Sequence, residues 1–328
     1  MKQNKNPFLN KKILIIGDVM LDTYIWGKVD RISPEAPVPV VSVTKRENRM
    51  GGAANVALNI KALGSNAILS TVVGNDDKAA LFENLLCENK MTSDGLVKSD
   101  KRVTTTKYRI IGNNVQMLRV DEETDIALPA DLQKSFTRQI LNLIKNHKFD
   151  AIIFEDYDKG VIDSQLISTI VSEALKQNIP VLVDPKKRNF IHYKNVTVFK
   201  PNLKELKDAL NIDLPYEIDD LAKVCEKFRK QQNIKYMLLT LGERGMLLCF
   251  NEKNKAKYIH IPSMVRNVAD VSGAGDTVIA VAALALSIGA TPKQMTEWSN
   301  AAAGIVCEYV GVVPVDKDRF LDYYKDNQ

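Results

Sequence analysis

The chain has 328 residues, 45% hydrophobic and 26% charged, with a formal net charge of +5 and a pI of about 8.8. That balance fits a folded, water-soluble protein and excludes collagen-like, disordered and disulfide-scaffold chains. The Lys and Arg residues are spread along the sequence rather than gathered in a stripe, which argues against a nucleic-acid partner and suits a small anionic substrate better.

The four cysteines, Cys87, Cys225, Cys249 and Cys307, form no CxxC pair and show no metal-ligand spacing. Free thiols and a reducing compartment are expected. Residues 1–12 are polar and basic and lack the apolar core of a signal peptide. The apolar run 278–288 is too short to span a bilayer. A cytoplasmic protein with no membrane partner is the expectation.

In chain order, Lys12–Gly17 is a short apolar run ending in Gly-Asp, read as a buried first strand. Residues 24–44 hold Trp26, Pro34, Pro37 and Pro39 among alternating valines. Proline is confined to strand edges and bulges, so this region predicts strands outside the main sheet. Gly51-Gly52 opens an apolar helix through Leu63, and 66–73 predicts the next strand. Residues 103–111 and 115–120 predict a hairpin around Gly112-Asn113-Asn114. Alternation follows: strand 151–154, helix 164–177, strands 181–183 and 196–199, helix Leu203–Leu210, strand 235–240. Strands alternating with helices predict a doubly wound, mostly parallel sheet covered on both faces. Residues 245–250 and Lys255–Ile261 predict a late antiparallel pair. Helices Ala274–Ser287 and 293–309 close the pattern. No repeat or linker is visible, so one domain over 1–328 is expected, with a small β lid from 24–44 and 103–120.

Chemistry concentrates at Asp270-Val271-Ser272-Gly273-Ala274-Gly275-Asp276-Thr277. Glycines before an apolar helix let backbone approach a phosphate closely, and the helix start offers unpaired N–H groups. Asp276 falls in the first turn, where it could accept a proton from an acceptor hydroxyl. A plain glycine turn before an ordinary Asp would leave the same local pattern. Similarly, Asn202 and Glu205 are three apart on one helical face, a spacing that also makes a capping box.

The segment 270–277 resembles the C-terminal signature of the ribokinase-like (PfkB) carbohydrate kinases, and Gly51-Gly52-Ala53-Ala54-Asn55-Val56-Ala57 resembles their first signature. Further blocks are similar to the heptose 7-phosphate kinases of lipopolysaccharide core synthesis. They are 18–22, Arg31-Ile32-Ser33-Pro34-Glu35-Ala36-Pro37-Val38-Pro39-Val40, 156–160, Asp184-Pro185-Lys186 and 201–205. The Arg31 to Val40 run is the most specific, since generic sugar kinases lack it.

The resemblance implies ATP and Mg²⁺ as cofactors and a sugar phosphate as acceptor. It implies Asp276 as catalytic base and Gly273, Ala274 and Gly275 as an anion hole. Asn202 and Glu205 would place Mg²⁺, indirectly through Glu205, and the nucleotide phosphates. Thr240, Gly242 and Gly245 would lie at the nucleotide and Asn300 near the adenine. Asp18, Gly51, Gly52 and Asn55 would hold sugar hydroxyls. Lys186, Arg109 and Arg119 are candidates for phosphate groups, with Lys159 a further one and Arg49 and Lys61 weaker ones. A monovalent cation such as K⁺ and a homodimer through the β lid are further expectations. Two departures stand out: Ser272 where a Thr is expected, and Glu155-Asp156-Tyr157-Asp158 where Ser-Asp-Tyr-Ala is expected.

Transfer of the ATP γ-phosphoryl group to D-glycero-β-D-manno-heptose 7-phosphate is the expected activity. Alternatives are a PfkB kinase for another sugar and a silent nucleotide- or sugar-sensing module. The bifunctional heptose enzyme adds an adenylyltransferase with a His-x-Gly-His motif, which is missing here. A separate adenylyltransferase is therefore expected in the pathway.

Overall fold

The computed structural model describes residues 6–264 and 268–326. The chain begins with β1 (Lys12–Gly17), followed by two long strands, β2 (Val19–Ile32) and β3 (Pro39–Gly52). Next come α1 (Ala53–Ala62), β4 (Asn66–Gly74), α2 (Asp77–Glu88), β5 (Leu96–Ser99) and the hairpin β6 (Thr106–Gly112) and β7 (Val115–Glu122). The alternating part is α3 (Ala130–Asn146), β8 (Ala151–Glu155), α4 (Ser164–Lys176), β9 (Val181–Asp184), β10 (Val198–Phe199), α5 (Leu203–Leu210), α6 (Ile218–Gln231) and β11 (Tyr236–Thr240). It ends with β12 (Met246–Glu252), β13 (Lys255–Ile261), α7 (Ala274–Ser287), α8 (Pro292–Val306) and α9 (Lys317–Asp326).

Nine strands form the main sheet in the order β13-β12-β11-β10-β9-β8-β1-β4-β5. It is parallel except where β12 runs against β11 and β13. The chain leaves β1 toward β4 on one side and later returns to β8 on the other. Carboxyl ends of strands at such a reversal leave a crevice where ligands bind.

Strand parity divides the core. Ile13 and Ile15 join one hydrophobic cluster with α1, α7 and α8, while Leu14 and Ile16 join the other with α3, α4 and α6. The same alternation sends Ile153, Leu182 and Val198 to the α7 face and Phe154, Val183 and Phe199 to the opposite face. Strands buried on both faces read as continuous apolar runs, as β1 does.

A second sheet of four strands, ordered β3-β2-β6-β7, stands apart from the first. Its strands outrun the expected 24–44 and 103–120 regions, because pairing partners rather than local pattern set strand ends. Pro34 and Pro37 lie in the connection between β2 and β3, and Pro39 begins β3. The β6–β7 turn is closed by Asn113 and Asn114 at φ 50° and 64°, as a two-residue hairpin of positive-φ residues requires.

Helices α2, α3, α6 and α9 lie where the chain-order expectations placed no element, and α8 stops at Val306 rather than at residue 309. Among the described residues the four cysteines are free, and no helix is long and apolar enough to cross a membrane.

Candidate active site

The sheet order brings the carboxyl ends of β1, β8, β9 and β10 side by side, and the start of α7 lies over them. Parity decides what they present. Glu155 follows Ile153, Asp184 follows Leu182 and Lys200 follows Val198 at the two-residue strand period, so all three fall on the α7 face. Glu155 and Asp184 are register partners across adjacent strands. The Lys200 ammonium pairs with Asp184 Oδ2 at 2.7 Å.

Asp276 is the third residue of α7 and is buried. Asn55 Nδ2 donates to its Oδ2 at 2.7 Å, and the Tyr157 hydroxyl donates to its Oδ1 at 2.8 Å. Burial pushes the Asp276 carboxyl up to about 6, with the two hydrogen bonds opposing the rise and nearby Asp184 adding to it. A carboxyl poised there is ionised at neutral pH and still basic enough to take a proton.

The glycines around Asp276 are set by close approaches. Gly273 caps α7 at φ 80°, and a Cβ there would sit 2.7 Å from Asn55 Nδ2. Gly275 lies over the Lys200–Asp184 pair, with a hypothetical Cβ 3.3 Å from Lys200 Nζ. Ala274 begins the helix between them. Asp270 accepts from the Ser272 backbone and hydroxyl at 2.9 and 2.8 Å, so the serine supplies the hydroxyl contact expected of a threonine.

Asn55 is held in turn by Asn59, whose Nδ2 donates to the Asn55 carbonyl at 2.9 Å. Asn59 Oδ1 accepts from the Thr277 hydroxyl at 3.2 Å and the Val315 amide at 2.9 Å. Gly52 precedes α1 at φ 61°, with Asp18 O where a Cβ would meet it at 2.5 Å. Gly51 lies equally close to the Asp22 carboxylate.

Asp18 is buried and accepts from three backbone amides: Tyr157 at 2.9 Å, Lys159 at 3.2 Å and Val161 at 3.2 Å. It thereby fixes the loop that delivers Tyr157 to Asp276. Burial raises the Asp18 carboxyl, against those amides. Asp156, on the opposite face from Glu155, accepts from Tyr193 at 2.8 Å and Asn189 at 3.0 Å. Burial, then the nearby Asp18, pushes it up to about 7.

Asn202 and Glu205 form a reciprocal capping box at the start of α5. The Asn202 amide donates to Glu205 Oε2 at 2.8 Å, while Glu205 Oε1 receives the Lys186 ammonium. The cap and a site role thus fall on the same two residues. Lys186 Nζ also lies 5.2 Å from the Tyr157 ring centroid. Thr240, at the end of β11, bridges to Asn202. Gly242 and Gly245 bracket the turn beyond it, closed by Leu241 N donating to Gly245 O at 2.8 Å. Asn300 Nδ2 donates to the Pro262 carbonyl at 2.7 Å, tying α8 to the segment after β13.

Three of the basic candidates, Arg49, Arg109 and Arg119, lie on the second sheet. Arg109 is ion-paired with buried Asp22 and lies over the Tyr24 ring. Arg119, opposite it on β7, is 54% exposed and pairs with Asp121 at 3.0 Å. Lys159 pairs with Glu123 at 2.6 Å. Arg49 reaches the carbonyls of Val310 and Val312 at 3.2 and 3.3 Å, and Lys61 reaches that of Lys90. The sequence expectations gave no role to Tyr157, Asp184 or Lys200. The available signal was a polar residue ending each apolar strand.

A family-wide sequence pattern described as pfkB family carbohydrate kinase matches residues 10–318. The bifunctional protein HldE of Koribacter versatilis (strain Ellin345) is 39% identical over 318 residues, covering 97% of this chain and 64% of that protein. HldE of Helicobacter acinonychis (strain Sheeba) is 40% identical over 301 residues, covering 92% and 64%. The chain thus spans a little under two thirds of the length of these relatives. In fold it is similar to phosphofructokinase-2 from Escherichia coli in complex with potassium, with a TM-score of 0.76 at 20% identity over 97% of this chain and 99% of that one. Arabidopsis thaliana ribokinase complexed with ribose and ATP gives a TM-score of 0.72 at 18% identity, with the same coverage. With its ribokinase-like sheet and a match over most of its length, the chain belongs to the PfkB family of carbohydrate kinases.

Proposed function

We propose that this chain transfers the ATP γ-phosphoryl group to the anomeric hydroxyl of D-glycero-β-D-manno-heptose 7-phosphate, giving the 1,7-bisphosphate and ADP for ADP-heptose and lipopolysaccharide core synthesis. The observation that carries the phosphotransfer is Asp276 at the start of α7, with Asn55 and Tyr157 fixing its two oxygens. The heptose acceptor is supported by the resemblance of the Arg31 to Val40 run and by the likeness to the HldE proteins.

Asp276 would take the proton of the attacking hydroxyl. The N–H groups at the start of α7 would face the transferring phosphoryl oxygens, which glycine at 273 and 275 allows to come close. Gly51, Gly52 and Asn55 would line the side where a sugar meets Asp276, with Asp18 beneath them holding the loop that carries Tyr157. Thr240, Gly242, Gly245 and Asn300 would border the nucleotide. Mg²⁺ bound with the nucleotide would neutralise phosphate charge in the transferring group. Asn202 and Glu205 offer hard oxygens for it, through water, since both Glu205 oxygens already have partners.

The four-stranded sheet would serve as the lid. Its exposed apolar residues include Ile32, Val43, Val115, Leu118 and Val120, and an exposed apolar patch of that kind supports pairing with a second copy. Size-exclusion chromatography with light scattering should then report a dimer that Leu118→Lys weakens. A requirement for K⁺ is a further proposal, tested by exchanging K⁺ for Na⁺. A cytoplasmic location completes the scheme.

The deciding assay is ADP release with synthetic heptose 7-phosphate beside hexose phosphates, hexoses and nucleosides. Preference for the heptose by k_cat/KM is expected. Turnover on another acceptor alone would favour a PfkB kinase of different specificity. Binding of ADP and sugar without turnover on any acceptor would favour a sensing module.

A further inference from the structure

An irregular segment, residues 307–316, connects α8 to α9 and meets the site at two places. Its Cys307 carbonyl accepts from the Ala269 and Asp270 amides at 2.8 and 3.2 Å. Its Gly311 amide donates to Asp270 Oδ2 at 2.9 Å. Asp270 Oδ1 in turn holds the Ser272 amide and hydroxyl, which shapes the turn into Gly273 at the start of α7. Further on, the Val315 amide donates to Asn59 Oδ1 at 2.9 Å, and Asn59 supports Asn55 beside Asp276.

The second sheet grips the same segment through one side chain. Arg49, on β3, donates from Nη1 to the carbonyls of Val310 and Val312 at 3.2 and 3.3 Å. Its Nε is held by Glu47 Oε1 at 2.6 Å, and its guanidinium carbon lies 4.8 Å from the Tyr24 ring centroid. Gly311, between the two carbonyls, has a φ of 77°, and a Cβ there would meet Arg49 Nη1 and the Tyr24 hydroxyl, each at 2.7 Å. A planar guanidinium that bonds a carboxylate and two carbonyls while lying over a ring has no equivalent in an ammonium group. These contacts turn Arg49 toward the protein's own backbone rather than toward a phosphate.

We propose that Arg49 is a positioning residue for phosphotransfer. It ties the second sheet to residues 310–312 and, through Gly311 and Asp270, sets the turn 270–273 that aims the first N–H groups of α7. A displacement at Arg49 thus reaches the anion site along a chain of hydrogen bonds, without any contact to substrate. The inference rests on the phosphotransfer reading of Asp276. Its cost when broken is one of geometry, since a misplacement of about 1 Å can lower a rate about a hundredfold.

The test is steady-state kinetics of Arg49→Met and Arg49→Lys with heptose 7-phosphate, or with whichever sugar the wild type phosphorylates. Circular dichroism and urea unfolding put each rate on the basis of folded molecules. Arg49→Met should lower kcat about tenfold to a hundredfold. Both KM values should stay within about twofold, as for an interaction realised in the transition state. Arg49→Lys keeps a donor near the carbonyls and should recover part of the loss. If Arg49→Met does not fold, Arg49→Lys decides by the same split of kcat from KM. Asp270→Ala lies on the same chain, so adding it to Arg49→Met should cost no more than about twofold beyond the worse single variant. Unchanged kcat per folded molecule in the Arg49 variants would overturn the proposal. So would a raised acceptor KM at unchanged kcat, which marks a phosphate ligand, or losses that simply multiply in the double variant. A wild type that phosphorylates no sugar would remove the photransfer reading itself, whereas unaffected variants of an active wild type remove only the role of Arg49.

Discussion

The Tyr157 hydroxyl donates a 2.8 Å hydrogen bond to Asp276 Oδ1, joining the loop after β8 to the first turn of α7 across 119 residues. The tyrosine is half-buried, and desolvation of its hydroxyl followed by the Asp276 charge holds its phenol well above the ordinary range, so it acts only as a donor. Tyr157→Phe removes that donor and little volume. A hydrogen bond to a charged group contributes about 1.5–3 kcal/mol, so k_cat should fall about tenfold to a hundredfold. The KM for ATP should change little. Steady-state kinetics with ATP and acceptor varied separately checks this, and an unchanged k_cat would remove Tyr157 from the site.

Asp276 can accept a proton only when ionised. Its carboxyl is raised to about 6 by burial, so activity is present above that pH and lost as pH falls through it. The acid limb of k_cat/KM should lie no higher than about 6, because any bound cation favours the anion and moves the limb lower. Asp276→Asn should reduce k_cat by about a hundredfold to ten-thousandfold while ADP and sugar binding persist by calorimetry. Near-normal turnover in that variant would remove the base.

Gly273 combines a positive φ with a close approach to Asn55. Gly273→Ala should destabilise the fold by about 1–2 kcal/mol from the left-handed backbone alone. It should also displace Asn55 from Asp276, so activity should fall further than the loss of folded protein explains. Comparing urea unfolding with k_cat per folded molecule separates the two effects.

The Arg109–Asp22 pair makes a different prediction. Asp22 is buried at 2% exposure and lies against Gly51. Removing one partner of a buried pair leaves an uncompensated charge, at a cost of about 3 kcal/mol or more. Arg109→Leu should therefore lower stability by roughly 3 kcal/mol. A purely ligand-binding Arg109 would instead raise KM for the acceptor and leave the denaturant midpoint unchanged. Measuring both in one variant distinguishes structural pairing from substrate contact.

The sequence by itself determined the alternating α/β plan and the separate strands around 24–44, because strand and helix periods and proline placement are local properties. It also marked Asp276, with glycines on either side of Ala274 before an apolar helix, and the Asn202–Glu205 spacing. It missed α2, α3, α6 and α9, although Phe136, Ile140 and Ile144 of α3 and Leu221, Cys225 and Phe228 of α6 recur at helical spacing in the sequence.

Tertiary structure decided what surrounds Asp276. Tyr157, Asp184, Lys200 and Glu155 come from separate strand ends and their loops, and no spacing along the chain joins them. Strand order makes β8, β9 and β10 neighbours, and two-residue parity turns Glu155, Asp184 and Lys200 toward α7. Whether a strand-end carboxylate meets water, a lysine or another carboxylate depends on register between strands, and register is set by the packed core rather than by the local sequence.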